Sequence, residues 1–302
     1  MTRWEQMKER SNLFWLLLLL GVSRLLGRGI ARLVLIFVVA YFLLGARDAY
    51  RASRSYLARV LGRAPRLADV FRHFYSFAAT ALDRFFLLGG QSAKLEVEVF
   101  RPAEVRAVAD SGKGCIVLLS HLGSFEVMRV PGLTERELPL RVLLDRQHGR
   151  VLTALLERLN PRFRETVIDA SERGPALVLR LRDALAQNSM VCMMADRIRA
   201  GDRAFTVDFL GAPARLPASP WLLAAALQVP VILAFGLYRG GARYELHFEL
   251  FAERIEAPRE RREVALAEYA QRYAQRLEHH ARSAPYNWFN FYDYWADDAA
   301  QH

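Results

Sequence analysis

Two apolar runs, Leu13 to Val22 and Leu33 to Gly45, stand near the start of the chain with Arg24, Arg28 and Arg32 between them. Each falls short of the roughly 18 to 20 residues a spanning helix needs, so two half-depth helices are expected. Arginines follow the first run where a signal peptide would carry small residues for cleavage, so the segment is read as a retained anchor. Basic residues flank both runs. By the positive-inside rule both ends stay cytoplasmic, with the intervening arginines at headgroup level or inside the protein. From about 50 to 90 the apolar spacing is helical: Tyr56, Leu57, Val60 and Leu61, then Val70, Phe71, Phe74, Phe77, Leu82, Phe85 and Phe86. Gly62 and Pro65 break it, and Gly89-Gly90 stops it.

Beyond Gly90 short β-rich runs alternate with helical patterns. The strands are expected at Leu95 to Phe100, Cys115 to Leu119, Arg141 to Leu144, Thr166 to Ile168, Met190 to Ala195, Phe205 to Phe209, Val231 to Leu237 and Tyr244 to Leu250. This alternation predicts an α/β fold, a single mixed sheet flanked by helices, preceded by a hydrophobic membrane-anchoring helical segment. Neither repeats nor flexible linkers interrupt residues 90 to 282. The chain therefore divides into a basic, apolar anchor (1–66), connecting helices (67–90) and a catalytic domain with an aromatic C-terminal tail (91–302).

Charge sharpens the reading of the anchor. The formal net charge is +10 over 302 residues, yet residues 1–66 hold 12 Arg/Lys against 3 Asp/Glu, and the remainder is nearly balanced. Local basicity of this kind argues against a nucleic-acid partner. It suits an anionic bilayer surface, where each cation contributes about 1 kcal/mol, or an acidic carrier protein. Cys115 and Cys192 both lie in apolar runs and read as reduced core thiols. The histidines show no metal-ligand spacing, so no metal is expected; no bound cofactor is expected either.

Candidate chemistry centres on Gly114 to Glu126, where the buried strand Cys115 to Leu119 is followed by Ser120-His121-Leu122-Gly123-Ser124-Phe125-Glu126. His121 thereby stands at a strand's C-terminal end, outside which ligands of open α/β sheets usually bind. A helix starting near Ser124 carries Glu126 in its first turn. From there Glu126 is expected to accept the Nδ1 proton of His121, leaving Nε2 as a general base. Spacing alone equally allows a capping histidine and a solvated first-turn acid. A serine hydrolase is discounted, since Ser120 and Ser124 lie in no Gly-x-Ser-x-Gly elbow.

His-x-x-x-x-Glu after an apolar strand resembles the signature of the glycerolipid acyltransferase superfamily, and especially its bacterial lipid A lauroyl/myristoyl acyltransferase branch. Further matches follow in order: Leu143-Leu144-Asp145-Arg146-Gln147, Met194-Ala195-Asp196-Arg197, and Asp208-Phe209-Leu210-Gly211 with Pro213-Ala214. The resemblance runs from the anchor to about residue 250. It implies His121 as general base, oriented by Glu126, and an acceptor hydroxyl or amine attacking an acyl thioester carried by acyl carrier protein or coenzyme A. It also implies Arg146 as the holder of an anionic substrate group, with Asp196 and Arg197 lining the same crevice. The implied setting is the cytoplasmic face of a bacterial inner membrane, with a membrane lipid as acceptor.

The tail Pro285 to Trp295 is aromatic and acidic where the lipid A branch tends to finish with Trp and a basic cluster. It is more similar to a sister branch associated with aryl polyene pigment pathways. Alternative readings are a lysophospholipid or amino-acid-lipid acyltransferase, or a non-catalytic membrane scaffold that binds acyl carrier protein.

Overall fold

The run Cys115 to Leu119 carries no polar side chain, and the computed structural model shows why: this strand lies mid-sheet with helices on both faces. The structure describes residue 21 and residues 27–88, 95–129, 139–144, 166–171, 174–199 and 201–295. The first helices whose bounds lie among the described residues are α1 (Gly27–Gly45), α2 (Arg47–Leu61) and α3 (Leu67–Leu88). They are followed by β1 (Glu96–Phe100), α4 (Pro102–Asp110), β2 (Cys115–Leu119), β3 (Leu140–Leu144), β4 (Val167–Asp169), α5 (Pro175–Ala186) and β5 (Met190–Met194). The remainder holds β6 (Ala204–Phe209), β7 (Ala212–Pro217), α6 (Ser219–Leu227), β8 (Val231–Gly240), β9 (Arg243–Ala252) and α7 (Arg262–Ser283).

Seven strands form one sheet in the order β1-β9-β8-β2-β5-β3-β4. It is mixed: β8, β2, β5, β3 and β4 run parallel, while β9 pairs antiparallel with β8 and parallel with β1. The fold class is therefore the expected α/β sheet covered by helices. Alternation splits the core between the two faces. Ile116 and Leu118 join a cluster with α2, α6 and α7, whereas Cys115, Val117 and Leu119 join one with α1 and α4. A strand buried on both sides needs an unbroken apolar run, because neither set of side chains meets water.

The second apolar run forms a longer helix than the half-depth segment expected of it. The first run, Leu13 to Val22, falls almost entirely outside the described residues. The second belongs to a 19-residue helix, α1, long and apolar enough to cross a membrane. Ala31, Leu35, Val38 and Val39 face the protein at helical spacing, while Leu33, Phe37, Tyr41 and Leu44 are exposed. Arg28 and Arg32 lie within this helix, turned into the protein, where Asp83 of α3 receives both. The helices read between 50 and 90 match α2 and α3, and Gly62 caps α2 at φ 64°, a left-handed conformation glycine adopts without strain.

Each expected strand is present, and β7 is one that sequence patterning misses. Its residues Ala212-Pro213-Ala214-Arg215-Leu216-Pro217 contain two prolines, which a central strand excludes. β7 is tolerated because it pairs only with β6, in a separate two-stranded ribbon. Leu210 and Gly211, both at positive φ, make its turn, and the Leu210 amide is held by Glu278 at 2.7 Å.

Candidate active site

Parallel pairing builds the centre of the site. β2 and β5 are neighbours in the register Leu119↔Met194, and the Ala195 amide donates to the Leu119 carbonyl at 3.0 Å. Two residues past each strand end, the same register sets His121 opposite Asp196. His121 Nδ1 lies 2.8 Å from Asp196 Oδ1, and the His121 amide donates to Oδ2 at 2.9 Å. A third donor, the indole Nε1 of Trp288, reaches Oδ2 at 3.0 Å.

These contacts fix the protonation pattern. Burial works to raise the Asp196 carboxyl, but the charge and hydrogen bonds of His121, with Arg197 nearby, prevail and hold it at about 2. An ionised carboxylate only accepts hydrogen bonds, so Nδ1 carries the proton and Nε2 of the neutral ring keeps its lone pair. Burial lowers the His121 pKa, Arg197 and Arg84 lower it further, and Asp196 partly offsets them. The ring is neutral at pH 7, about 28% of its side-chain surface is exposed, and Nε2 has no hydrogen-bond partner among the described residues.

The loop carrying His121 is tied on both sides. The Gly123 amide donates to Asn287 O at 2.8 Å and the Ser124 amide to Gly236 O of β8 at 2.8 Å, while His121 O accepts from the Phe289 amide at 2.8 Å. Gly123 adopts φ +73°, and a Cβ there would fall 1.9 Å from Gly236 O. No other residue fits so close an approach without moving the loop.

Glu126 does not approach His121 as expected. Its short 3₁₀ turn, Phe125–Arg129, aims the carboxylate at α3, where Arg84 Nε pairs with it at 2.5 Å and the Ser124 hydroxyl donates to it at 2.8 Å. The strand neighbour Asp196 takes the place at Nδ1 instead. Asp196, expected to line the crevice, has no exposed surface and stands behind the imidazole. Arg197 is also turned inward, donating to Asn290 Oδ1 at 2.6 Å and Phe289 O at 2.7 Å, so it braces the C-terminal segment. Arg146 lies outside the described residues.

Sequence reasoning missed three contributors: Asp196 as the partner of Nδ1, Arg84 and Trp288. A signal existed for the first, since Asp196 stands two residues after a buried strand just as His121 does. For Arg84 and Trp288 there was none, because both arrive from elements whose packing on the site is set by tertiary contacts.

An imidazole backed by a buried, ionised carboxylate and open at its outer nitrogen can take a proton from a hydroxyl or amine held in front of it. Among the described residues no three His, Cys, Asp or Glu side chains gather as a metal site. No curated protein matches the chain significantly. The sequence profile described as bacterial lipid A biosynthesis acyltransferase matches residues 12–296, nearly the whole length. That match includes every element described above from α1 to the aromatic tail, and by it the chain belongs to the bacterial lipid A biosynthesis acyltransferase family.

Proposed function

We propose that this acyltransferase moves an acyl group from a thioester, on acyl carrier protein or coenzyme A, to a hydroxyl or amine of a lipid acceptor, with His121 as general base. The observation that carries the reading is the His121 Nδ1–Asp196 pair at 2.8 Å with Nε2 open at the end of β2. Nε2 takes the acceptor's proton as its oxygen or nitrogen bonds to the thioester carbonyl. The C–S bond then breaks, and the imidazolium returns the proton to the departing thiolate, leaving an ester or amide and a free thiol. Asp196 stabilises the imidazolium in between. Glu126, paired with Arg84, shapes the charge around the ring from the α3 side and does not orient Nδ1 itself.

The same proposal sets the chain on a membrane with its sheet on the cytoplasmic side. α1 supplies an exposed apolar face. Directly after it, Arg47, Arg51 and Arg54 of α2 line a recess with Leu43 and Tyr50, a pattern suited to the boundary between acyl chains and anionic headgroups.

Purified wild type and His121→Ala, assayed by thiol release from an acyl thioester and by mass spectrometry of the lipid product, test the chemistry. His121→Ala is expected to lose ~10² to 10⁴-fold in rate. Wild-type turnover by the folded variant would falsify the assignment.

A further inference from the structure

The C-terminal aromatic segment holds both members of the acid–base pair. Phe289 N–H donates to His121 O, Tyr294 Oη donates to Asp196 O at 2.9 Å, and Arg197 grips Asn290 and Phe289 O. Among these contacts only one side chain of the segment reaches the reacting carboxylate itself. Trp288, with no exposed surface, sends its indole N–H to Asp196 Oδ2. Its ring is wedged against Tyr56 at 5.1 Å and Phe209 at 5.1 Å, and its carbonyl meets His73 Nε2 at 2.8 Å, so the indole has one orientation available.

A buried indole usually finds an acceptor, and on that ground alone Asp196 would serve Trp288 and not the reverse. A second tryptophan in the same fold bears on this. Trp221 is equally buried, yet its Nε1 has no hydrogen-bond partner among the described residues, so this core does not provide an acceptor for every indole.

We propose that Trp288 is a positioning residue for the acyl transfer: its N–H, through Asp196 Oδ2, holds the carboxylate in line with His121 Nδ1 and limits how strongly that carboxylate draws the imidazole proton. The inference rests on the reading of His121 as the base. Oδ2 accepts two N–H groups, from His121 backbone and Trp288, which spread the negative charge away from Oδ1. Removing the indole donor concentrates charge on the oxygen facing Nδ1, which favours the imidazolium and raises the His121 pKa. The other groups facing the pair stay as they are: Arg197 at the end of β5, Arg84 from α3, and the phenols of Tyr273, Tyr292 and Tyr294, all kept neutral by burial.

The experiment measures kcat and KM against pH for the full-length protein in detergent, comparing wild type, Trp288→Phe and a protein with benzothienylalanine at position 288. The benzothienyl ring keeps indole's volume and replaces N–H by sulfur, so it reports on the hydrogen bond even where phenylalanine loosens the core. Both replacements are expected to lower kcat about tenfold, leave KM for the acyl thioester within about twofold, and move the acidic limb up by about 0.5 to 1 pH unit. An acidic limb that stays put in the folded benzothienyl protein overturns the inference, whatever happens to kcat, because a purely structural tryptophan has no means of shifting the base. His121→Ala runs alongside: if that variant keeps wild-type activity, the parent reading has failed and this inference with it. If it is inactive while the limb stays put, only the role of Trp288 is lost.

Discussion

Asp196 and Asp83 are both carboxylates with no exposed surface, each fed by donors from distant parts of the chain. Asp83, on α3, takes Arg28 at 2.7 and 2.8 Å, Arg32 at 2.8 Å and the Tyr244 hydroxyl at 2.8 Å, and so fastens α1 to the sheet. Asp196 takes His121 twice and Trp288 once. Burial and hydrogen-bond saturation are common to both, so neither property marks a carboxylate as chemical. What separates them is the far side of the donor. A guanidinium keeps its protons at any working pH, so the Asp83 cluster is chemically closed. Imidazole carries a second nitrogen with a lone pair, and at the partly exposed His121 that nitrogen has no hydrogen-bond partner among the described residues.

Asp196→Asn tests the chemical half of the comparison and is expected to have the largest effect. An amide there presents a donor or a weaker acceptor to Nδ1, upsets the tautomer and cannot offset an imidazolium. The rate should fall ~10² to 10⁴-fold, as in other pairs where a carboxylate orients a histidine. A fall of less than tenfold would show that His121 does not depend on this partner.

Asp83→Asn tests the other half. Two arginines with side chains only 15% and 12% exposed lose their counter-charge, and breaking a buried pair from one side costs about 3 kcal/mol. Denaturant or thermal unfolding in detergent should register that loss, while turnover per folded molecule changes little. A large drop in kcat without loss of stability would mean the two clusters are coupled, and the division drawn above would fall.

Glu126→Gln is a smaller perturbation. It removes the charge that faces Arg84 without touching Nδ1, so kcat should drop only about tenfold. The freed Arg84 guanidinium then opposes the imidazolium more strongly, and the acidic limb should move down in pH. A loss as great as that of Asp196→Asn would restore Glu126 to the position beside His121 that sequence spacing first suggested.

The subtlest test is the wild-type profile itself. With His121 as the proposed base and its pKa held below the ordinary imidazole value of about 6.5, activity should rise with pH and reach half its plateau below that value. A midpoint well above 6.5 would contradict the depressing influence of burial, Arg197 and Arg84.

Much of this architecture was legible in the sequence because burial leaves a clear mark. β2, β5 and β8 are apolar along most of their length, and α2 and α3 show helical spacing ended by Gly62 and Gly89-Gly90. His121 could be placed because its strand immediately precedes it. Its partner could not, because strand order decides who stands beside β2, and the neighbour proves to be β5, some 75 residues on, and not the next turn of chain. Of the two places expected for the α1 arginines, Arg28 and Arg32 take the one inside the protein, and their partner was hidden for the same reason: Asp83 lies 55 and 51 positions away, and no local pattern announces the pairing. β7 was hidden by its prolines, which only an isolated ribbon accommodates.

Trp288 lies 92 positions beyond Asp196, and its peptide strand is laid against the His121 loop last of all the pieces around the pair. At translation speeds of about 5 to 20 residues per second, a ribosome spends roughly 5 to 20 s between making the carboxylate and making the indole that holds it. β8, which flanks β2, and β9, which links β1 to the sheet, are made within the same interval, so the sheet and the wall behind the proposed acid–base pair are completed together. A chain released before Trp288 would keep His121 and Asp196 but lack the indole that holds the carboxylate, and on the proposed reading it would work below full rate.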